Sequence, residues 1–406
     1  MFVKLEQGKM EDLHGRDVLL FGAGSLGVRS LEEMDKIGAK VLGFLDNNRA
    51  RAGEKLEGYM IYAPEDISRF QNVKVIITST YMKEIKKQLS AMGNVDFDVI
   101  CLGALRDKLP EKDFFKPFLS KSRANELLYQ RLSGKEPFFA GRIGSNELEC
   151  MVEYYYLLHR DNGGIEAYHN NLKLVMKQGA GFFPAEEKYL DEMAKLYADD
   201  LRQMDFIWSM WLSKFEDMLY RRFNPEAVIT KYEDTAFPYD IASGSVNERG
   251  NETKEPWTYA LSGRKVLVIH PFVDSIKQNY KIREKLHKNK MLPGFTLVTM
   301  KPVQSIADEE TAYDTWFDAL ETMEKEISKI DFDVALIGAG AYGLPLGAYC
   351  KRIGKQAVHV GGMLQLYFGI RGKYYDKYNY HNEYWTRPME TERPKGFEKV
   401  EAGRYW

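Results

Sequence analysis

Cysteine is scarce in this chain, and net charge is nearly absent. Cys101, Cys150 and Cys350 are the only three thiols in 406 residues, far apart and without C-x-x-C spacing. That excludes a disulfide framework and a thiolate zinc site, and it fits a reducing compartment. A formal net charge of −2 generates no field that would gather nucleic acid, and no cluster of Lys and Arg marks an anionic membrane. Long apolar runs are missing as well. None reaches the roughly 18 residues a bilayer span needs, and Met1-Phe-Val-Lys-Leu-Glu lacks the charged-then-apolar pattern of a signal peptide. A cytoplasmic protein is expected, with no nucleic acid partner and no transmembrane segment.

Aromatic residues are plentiful at 13%, crowded into the middle and the C-terminal tail, where they can pack or stack on a sugar or a base. The length exceeds what one core supports, so two or three domains are expected.

Two stretches read as a buried strand, a glycine turn and a helix. They are Val18-Leu-Leu-Phe-Gly-Ala-Gly-Ser-Leu-Gly-Val28 and Asp333-Val-Ala-Leu-Ile-Gly-Ala-Gly-Ala-Tyr-Gly-Leu344. Each carries G-x-G-x-x-G, at Gly22, Gly24 and Gly27 and at Gly338, Gly340 and Gly343. The first glycine permits the tight turn, the second lets backbone approach a phosphate, and the third lets helix pack on strand. The helix N-terminus then offers N–H groups to an anion. Asp46 ends the strand after the first turn, where a dinucleotide fold places its ribose-binding acid; the simpler reading is a turn built by Asp46, Asn47 and Asn48.

Strand and helix alternate from residue 18 to residue 102 and again from 265 to 360, with parallel-sheet spacing in both. The fold class expected is therefore α/β, two Rossmann-like doubly wound parallel-sheet units with a helical insertion between them. The divisions are 1–105, a linker at 106–125, a second α/β domain at 126–375 with a helical segment at 145–222, and an aromatic tail at 376–406. The stretch Arg123 to Arg222, including Phe206-Ile-Trp-Ser-Met-Trp211, reads as mostly helical, and 232–256 as a long surface loop.

Three further places carry candidate chemistry. Pro137-Phe-Phe-Ala-Gly-Arg-Ile-Gly-Ser-Asn-Glu-Leu-Glu149 sets Arg142 and Glu147 at one strand-to-helix junction, with Ser145 as a good N-cap. Arg142 can grip a phosphate bidentately, and Glu147 can act as base or metal ligand; a capped helix with an acid in its first turn is the simpler account. Leu267-Val-Ile-His-Pro-Phe-Val-Asp-Ser275 puts His270 and Asp274, both candidate catalytic residues, at the carboxyl side of a strand, where α/β sheets bind ligands. His270 can titrate near neutrality and take the proton of an attacking hydroxyl. There the simpler account is Asp274 or Ser275 capping the next helix. Gly361 and Gly362 follow a strand ending at His359 and Val360, so their amides can face a ligand, while His359 itself reads as packed. Lys301 and Gln304 read as a solvated loop.

Phe21-Gly-Ala-Gly-Ser-Leu-Gly27, Val41-Leu-Gly-Phe-Leu-Asp-Asn-Asn48 and Gly58-Tyr-Met-Ile-Tyr-Ala-Pro-Glu65 together resemble the small N-terminal Rossmann domain of PglD-type sugar acetyltransferases, whose pocket takes a nucleotide sugar. The region from Phe138 to Gly372 resembles glycosyltransferases of the GT-D fold, most specifically at Arg142 to Glu147, at the second glycine turn, and at Lys355-Gln-Ala-Val-His-Val-Gly-Gly-Met-Leu-Gln-Leu-Tyr-Phe-Gly-Ile-Arg371. That resemblance implies a transferase of surface polysaccharide biosynthesis, with a nucleotide sugar as donor and a glycan or lipid-linked acceptor as partner. It also implies an acidic pair that handles a divalent metal, Mn or Mg. Ser145 stands where the first acid belongs, which leaves the metal and its ligands open. An NAD(P)-dependent oxidoreductase and a non-catalytic nucleotide-sugar-binding protein remain as alternatives, and a homo-oligomer stays open.

Overall fold

The computed structural model describes residues 13–79, 82–93, 95–99, 119, 121–151, 166–209, 216, 220–221, 223–229, 256–287, 290–306, 310–378, 381–400 and 403–406. They form two compact units. The first comprises 1–108, 162–172 and 213–215, and the second 109–161, 173–212 and 216–406.

The first unit is a six-stranded sheet of β1 (Asp17–Phe21), β2 (Lys40–Leu45), β3 (Lys55–Leu56), β4 (Tyr59–Tyr62), β5 (Lys74–Ile77) and β6 (Phe97–Val99), ordered β3-β4-β2-β1-β5-β6. All pairs are parallel except β3 with β4. Its central strand β1 is apolar and buried from Val18 to Phe21 because both of its faces are covered. Val18 and Leu20 join Met34, Phe44 and Ile76 on one side, and Leu19 and Phe21 join Leu45, Val75, Ile77, Ile85 and Leu89 on the other. The helices Ser25–Lys36 and Met82–Ala91 supply Met34 to the first set and Ile85 and Leu89 to the second. Each such side chain contributes about 1.5–3 kcal/mol when fully buried.

The second unit is a seven-stranded sheet of β7 (Phe138–Gly141), β8 (Phe206–Trp208), β9 (Ala227–Ile229), β10 (Lys265–Ile269), β11 (Thr296–Met300), β12 (Val334–Ile337) and β13 (Gln356–His359), ordered β11-β10-β12-β13-β7-β8-β9 and parallel throughout. Alternation puts Val266, Val268, Val334, Leu336 and Val358 into one core and buries Leu267, Ile269, Ala335 and Ile337 on the opposite face. The helix Gly343–Arg352 packs on β7 and β13. A Cβ on Gly347 would lie 2.2 Å from the Phe139 ring, so the close approach needs that glycine.

Both sheets match the expected α/β class. The helices expected between residues 145 and 222 include Glu166–Ala180 and Glu187–Leu201, but the aromatic run Phe206–Trp208 is a strand of the second sheet. Its three side chains are fully buried between neighbours on both sides, and this tertiary setting decides what three residues cannot signal by period. The expected linker lies outside the described residues up to 118, and Lys121 already opens the helix Lys121–Ser133. The loop expected at 232–256 lies outside them except for Pro256. The tail folds through short 3₁₀ turns, and Trp385, Val400 and Trp406 enter the second unit's core.

Candidate functional site

Five strands of the second sheet end at one cavity of about 150 Å³, room for on the order of ten waters. Arg142 follows β7, His270, Pro271 and Phe272 follow β10, and Pro302 to Ile306 follow β11. Gly338 to Gly340 follow β12, and His359 ends β13 with Gly361 and Gly362 after it. The carboxyl edge of a parallel sheet is where the strand-to-helix turns expose backbone N–H groups to a ligand.

Glu147 sits in the first turn of the helix Ser145–Cys150 and is buried, and its carboxylate folds back over Gly144. A Cβ at Gly144 would stand 2.0 Å from Glu147 Oε2, so any larger residue there would displace the carboxylate from this position. Gly144 is the N-cap, and Ser145 is the first helical residue, in place of the expected capping role. Tyr197, from the helix Glu187–Leu201, donates its hydroxyl to Ala341 O and so ties the second glycine turn to that helix. Burial pushes its phenol well above the usual range; the Glu147 charge adds to that and the Arg142 charge opposes it, so all three are close neighbours.

Both histidines at the cavity are neutral. His270 Nδ1 accepts from the Phe272 N–H at 3.0 Å, and burial pushes its pKa down to about 3. His359 Nδ1 lies 3.2 Å from Ile337 O, and burial, helped by the Arg142 charge, pushes it to about 3 against that hydrogen bond. His270 therefore carries its proton on Nε2 and serves as a donor. That does not fit the base role expected of His270; Glu147 is the carboxylate among the cavity-lining residues.

Aromatic and amide groups complete the wall. Tyr405 and Trp406 come from the tail, and a Cβ on Gly362 would lie 2.3 Å from Tyr405 Cε1, so this glycine makes room for the ring. Gln365 donates through Nε2 to Ile370 O and Tyr405 O at 3.2 and 3.1 Å. Its Oε1, Gln304 Nε2 and Trp406 Nε1 are buried with no hydrogen-bond partner among the described residues.

The first unit's turn is built differently. Asp46 accepts from Ala23 N through Oδ2 at 2.9 Å and from Asn48 N through Oδ1 at 2.8 Å, and Arg51 donates to Ala23 O at 2.6 Å. Gly22 has φ +127°, and a Cβ there would meet Thr78 O at 2.5 Å; Gly24 has nothing within 4 Å of its Cβ position; Gly27 would meet Gly22 O at 2.0 Å. The tight turn at Gly22 and the close packing at Gly27 are those the spacing implies, the Cβ position of Gly24 is open, and Asp46 holds the turn with both oxygens.

Residues 15–100 match the family model described as C2185-like, N-terminal. The match stays within the first unit and its description names no activity. None of the curated proteins compared with the chain matches it.

Of the residues singled out in the sequence, Arg142, Glu147, His270, Gly338, Gly340, Gly361 and Gly362 line one cavity, and Gly343 lies beneath the His359 ring. Gly22, Gly24, Gly27 and Asp46 come together in the first unit's turn. Asp274 does not join the cavity. Its exposed carboxylate lies 3.4 Å from Lys277 Nζ, and the amides of Asp274 and Ser275 donate to Glu392 of the tail, which takes the capping role expected of Asp274 or Ser275. Lys301 is exposed as expected, whereas Gln304 lines the cavity. His359 ends a strand and Gln304 closely follows one, a positional signal; Tyr197, Gln365, Tyr405 and Trp406 arrive by long-range packing, which no local pattern announces. Among the described residues no helix is long and apolar enough to cross a membrane, and no group of three His, Cys, Asp or Glu side chains is placed to hold a metal.

Proposed function

We propose that the chain is a glycosyltransferase-like enzyme of surface polysaccharide synthesis, taking a nucleotide sugar into the cavity of the second unit. The first unit is, in this reading, a separate nucleotide-sugar-binding module. The observation that carries the reading is the meeting of Arg142, Glu147 and the second glycine turn at the carboxyl ends of five parallel strands. Arg142 and the backbone amides of the turn would face the diphosphate, whose charge grows as the sugar leaves; stabilising that charge in a site shielded from water is the main catalytic task. Glu147 would take the proton of the acceptor hydroxyl. A divalent ion, where one is used, would rest on Glu147 and the donor phosphates, since Mg²⁺ and Mn²⁺ are held by one or two carboxylates with substrate oxygens completing the shell.

The two side chains should separate in experiment. Arg142→Ala should weaken binding of the nucleotide-sugar donor by roughly 10- to 100-fold, the worth of a charge-assisted hydrogen-bond pair. Glu147→Gln should keep donor affinity within a few-fold and lower turnover by about 10²–10⁴. Titration calorimetry against a panel of UDP-, GDP-, dTDP- and CMP-sugars, followed by turnover with the one that binds, decides the matter. Small, equal effects at both positions would return the junction to a capped helix. Donor binding without turnover in the unaltered protein would favour a non-catalytic sensor, the reading that the serine at position 145 supports.

A further inference from the structure

We propose that His270 and His359 form a fixed donor–acceptor pair that reads two hydroxyl groups of a neutral sugar ring and so determines which sugar the cavity takes. This rests on the reading of the cavity as a nucleotide-sugar site. The roles follow from each ring's other nitrogen. His270 Nδ1 accepts an amide proton, so the ring's own proton is on Nε2, which donates. His359 Nδ1 faces a backbone carbonyl, which only accepts, so Nδ1 is protonated and Nε2 holds a lone pair. Both rings line the cavity, and neither Nε2 has a hydrogen-bond partner among the described residues.

Their placement is set by the sheet. His270 follows β10 and His359 ends β13, with β12 between them, so their backbones stand two strand spacings apart, about 10 Å. Gly338 and Gly343 leave the space that each ring occupies: a Cβ at Gly338 would lie 2.7 Å from His270 Cδ2, and one at Gly343 would lie 2.0 Å from His359 Cε1. Each ring's Nδ1 is engaged by a backbone group, Phe272 N–H for His270 and Ile337 O for His359, which sets the role of its Nε2. Burial keeps both neutral through the physiological range.

A donor on one side and an acceptor on the other select by chemistry. A carboxylate or phosphate only accepts, and it would face the His359 lone pair without a proton to share. An ammonium only donates, and it would face the His270 N–H. A hydroxyl does both and satisfies either side. Tyr405, Trp406 and Phe272 give the same cavity aromatic wall on which the apolar face of a sugar ring can rest.

The test compares UDP, GDP and dTDP, each alone and as its hexose ester, by titration calorimetry on the full chain. With the ester that binds, His270→Phe and His359→Phe should each lower affinity about 10- to 100-fold while leaving the bare diphosphate within about twofold. His270→Gln, whose amide N–H replaces the lost donor, should recover much of the loss. A second measurement needs no variant: monodeoxyfluoro esters offered to the unaltered protein should lose about tenfold at the ring position facing His359, because fluorine cannot donate. Equal loss for diphosphate and ester would overturn the pair by assigning the imidazoles to phosphate, and so would indifference to fluorine at every ring position. If no diphosphate and no ester binds the unaltered protein, the nucleotide-sugar reading falls first and the pair falls with it.

Discussion

The G-x-G-x-x-G string occurs twice, and the two copies differ in what the third glycine makes room for. At Gly27 it is the turn's own backbone, with Gly22 O 2.0 Å from the Cβ position; at Gly343 it is the His359 imidazole, brought in from the next strand. The first turn is closed by its immediate neighbours, Asp46 on Ala23 N and Arg51 on Ala23 O. The second is tied by Tyr197 from a distant helix and flanked by two neutral imidazoles over a cavity. The same local string therefore specifies a strand-to-helix joint in both units. What stands around that joint, and hence the chemistry available to it, comes from the ends of the adjacent strands.

Acid should break the comparison most strongly. Among the described residues the second unit buries three histidines, His270 and His359 pushed to about 3 and His287 pushed to about 4, whereas His14 of the first unit is exposed. An unfolded histidine takes its proton near pH 6.5 and these folded ones do not until far lower, so the unfolded state binds more protons and stability falls as pH drops below about 6.5. Asp200 acts oppositely. Burial pushes it up to about 7 despite Arg352, so its contribution is present at low pH and is lost as pH rises through 7. Glu324, raised by burial as well, acts in the same sense as Asp200, and the three imidazoles outweigh the two carboxyls, so net stability falls as pH drops from about 6 toward 4. All six tryptophans (208, 211, 257, 316, 385 and 406) fall within the second unit's residues, so indole fluorescence in urea titrations follows that unit, and hydrogen exchange of β1 and β5 amides follows the first. Equal acid sensitivity of the two would show that the imidazoles do not set it.

Alanine at the third glycines sharpens the same contrast. Gly27→Ala drives a methyl into a carbonyl of its own turn, which cannot move aside, and should destabilise the first unit by about 3 kcal/mol or more. Gly343→Ala meets a side chain instead, and its cost, about 1–3 kcal/mol, should fall sharply when His359 is also alanine. A double-mutant cycle on urea midpoints measures that coupling. A coupling near zero between residues 343 and 359 would mean that the imidazole is not what Gly343 accommodates.

The sequence reveals those parts of the molecule that repeat a local pattern. Strands buried on both faces, such as Val18–Phe21 and Val334–Ile337, are continuous apolar runs ending in glycine and stand out at once. Phe206–Trp208 and Ala227–Ile229 are three residues each, too short for one period to be told from another, so pairing in the sheet, β8 between β7 and β9 and β9 at the edge, makes them strands. At the cavity, Arg142 and His270 are legible because each lies just beyond a strand, and parallel strands bring such positions to one edge; Glu147 is legible as the acid in the first turn of the helix that follows β7. Asp274 lies only four residues past His270, but by then the chain has entered the helix Val273–Tyr280 and its side chain faces solvent. Trp406 and Gln365 reach the cavity through the path of the tail and a short helix after β13, and nothing in their local sequence fixes that path.

The middle glycines give the smallest effect on stability and the cleanest on binding. Gly340 has φ +53°, a conformation that costs an alanine about 1–2 kcal/mol. Gly24 has no positive φ, and its Cβ position is open, so Gly24→Ala should shift stability by no more than about 0.5 kcal/mol. If that open space is where a phosphate approaches the backbone, Gly24→Val should fold as the unaltered chain does and still lose nucleotide binding by the first unit. Thermal midpoints with and without UDP-, GDP- and dTDP-sugars separate the two effects, because a ligand of the folded state must raise its apparent stability. The titration must be read with the Arg142→Ala background, so that binding in the second unit does not mask the first. Unchanged affinity in the valine variant would leave the first turn with the packing role of Gly27 as its whole account, and the glycine at position 24 would then serve only to keep the turn short of side chains.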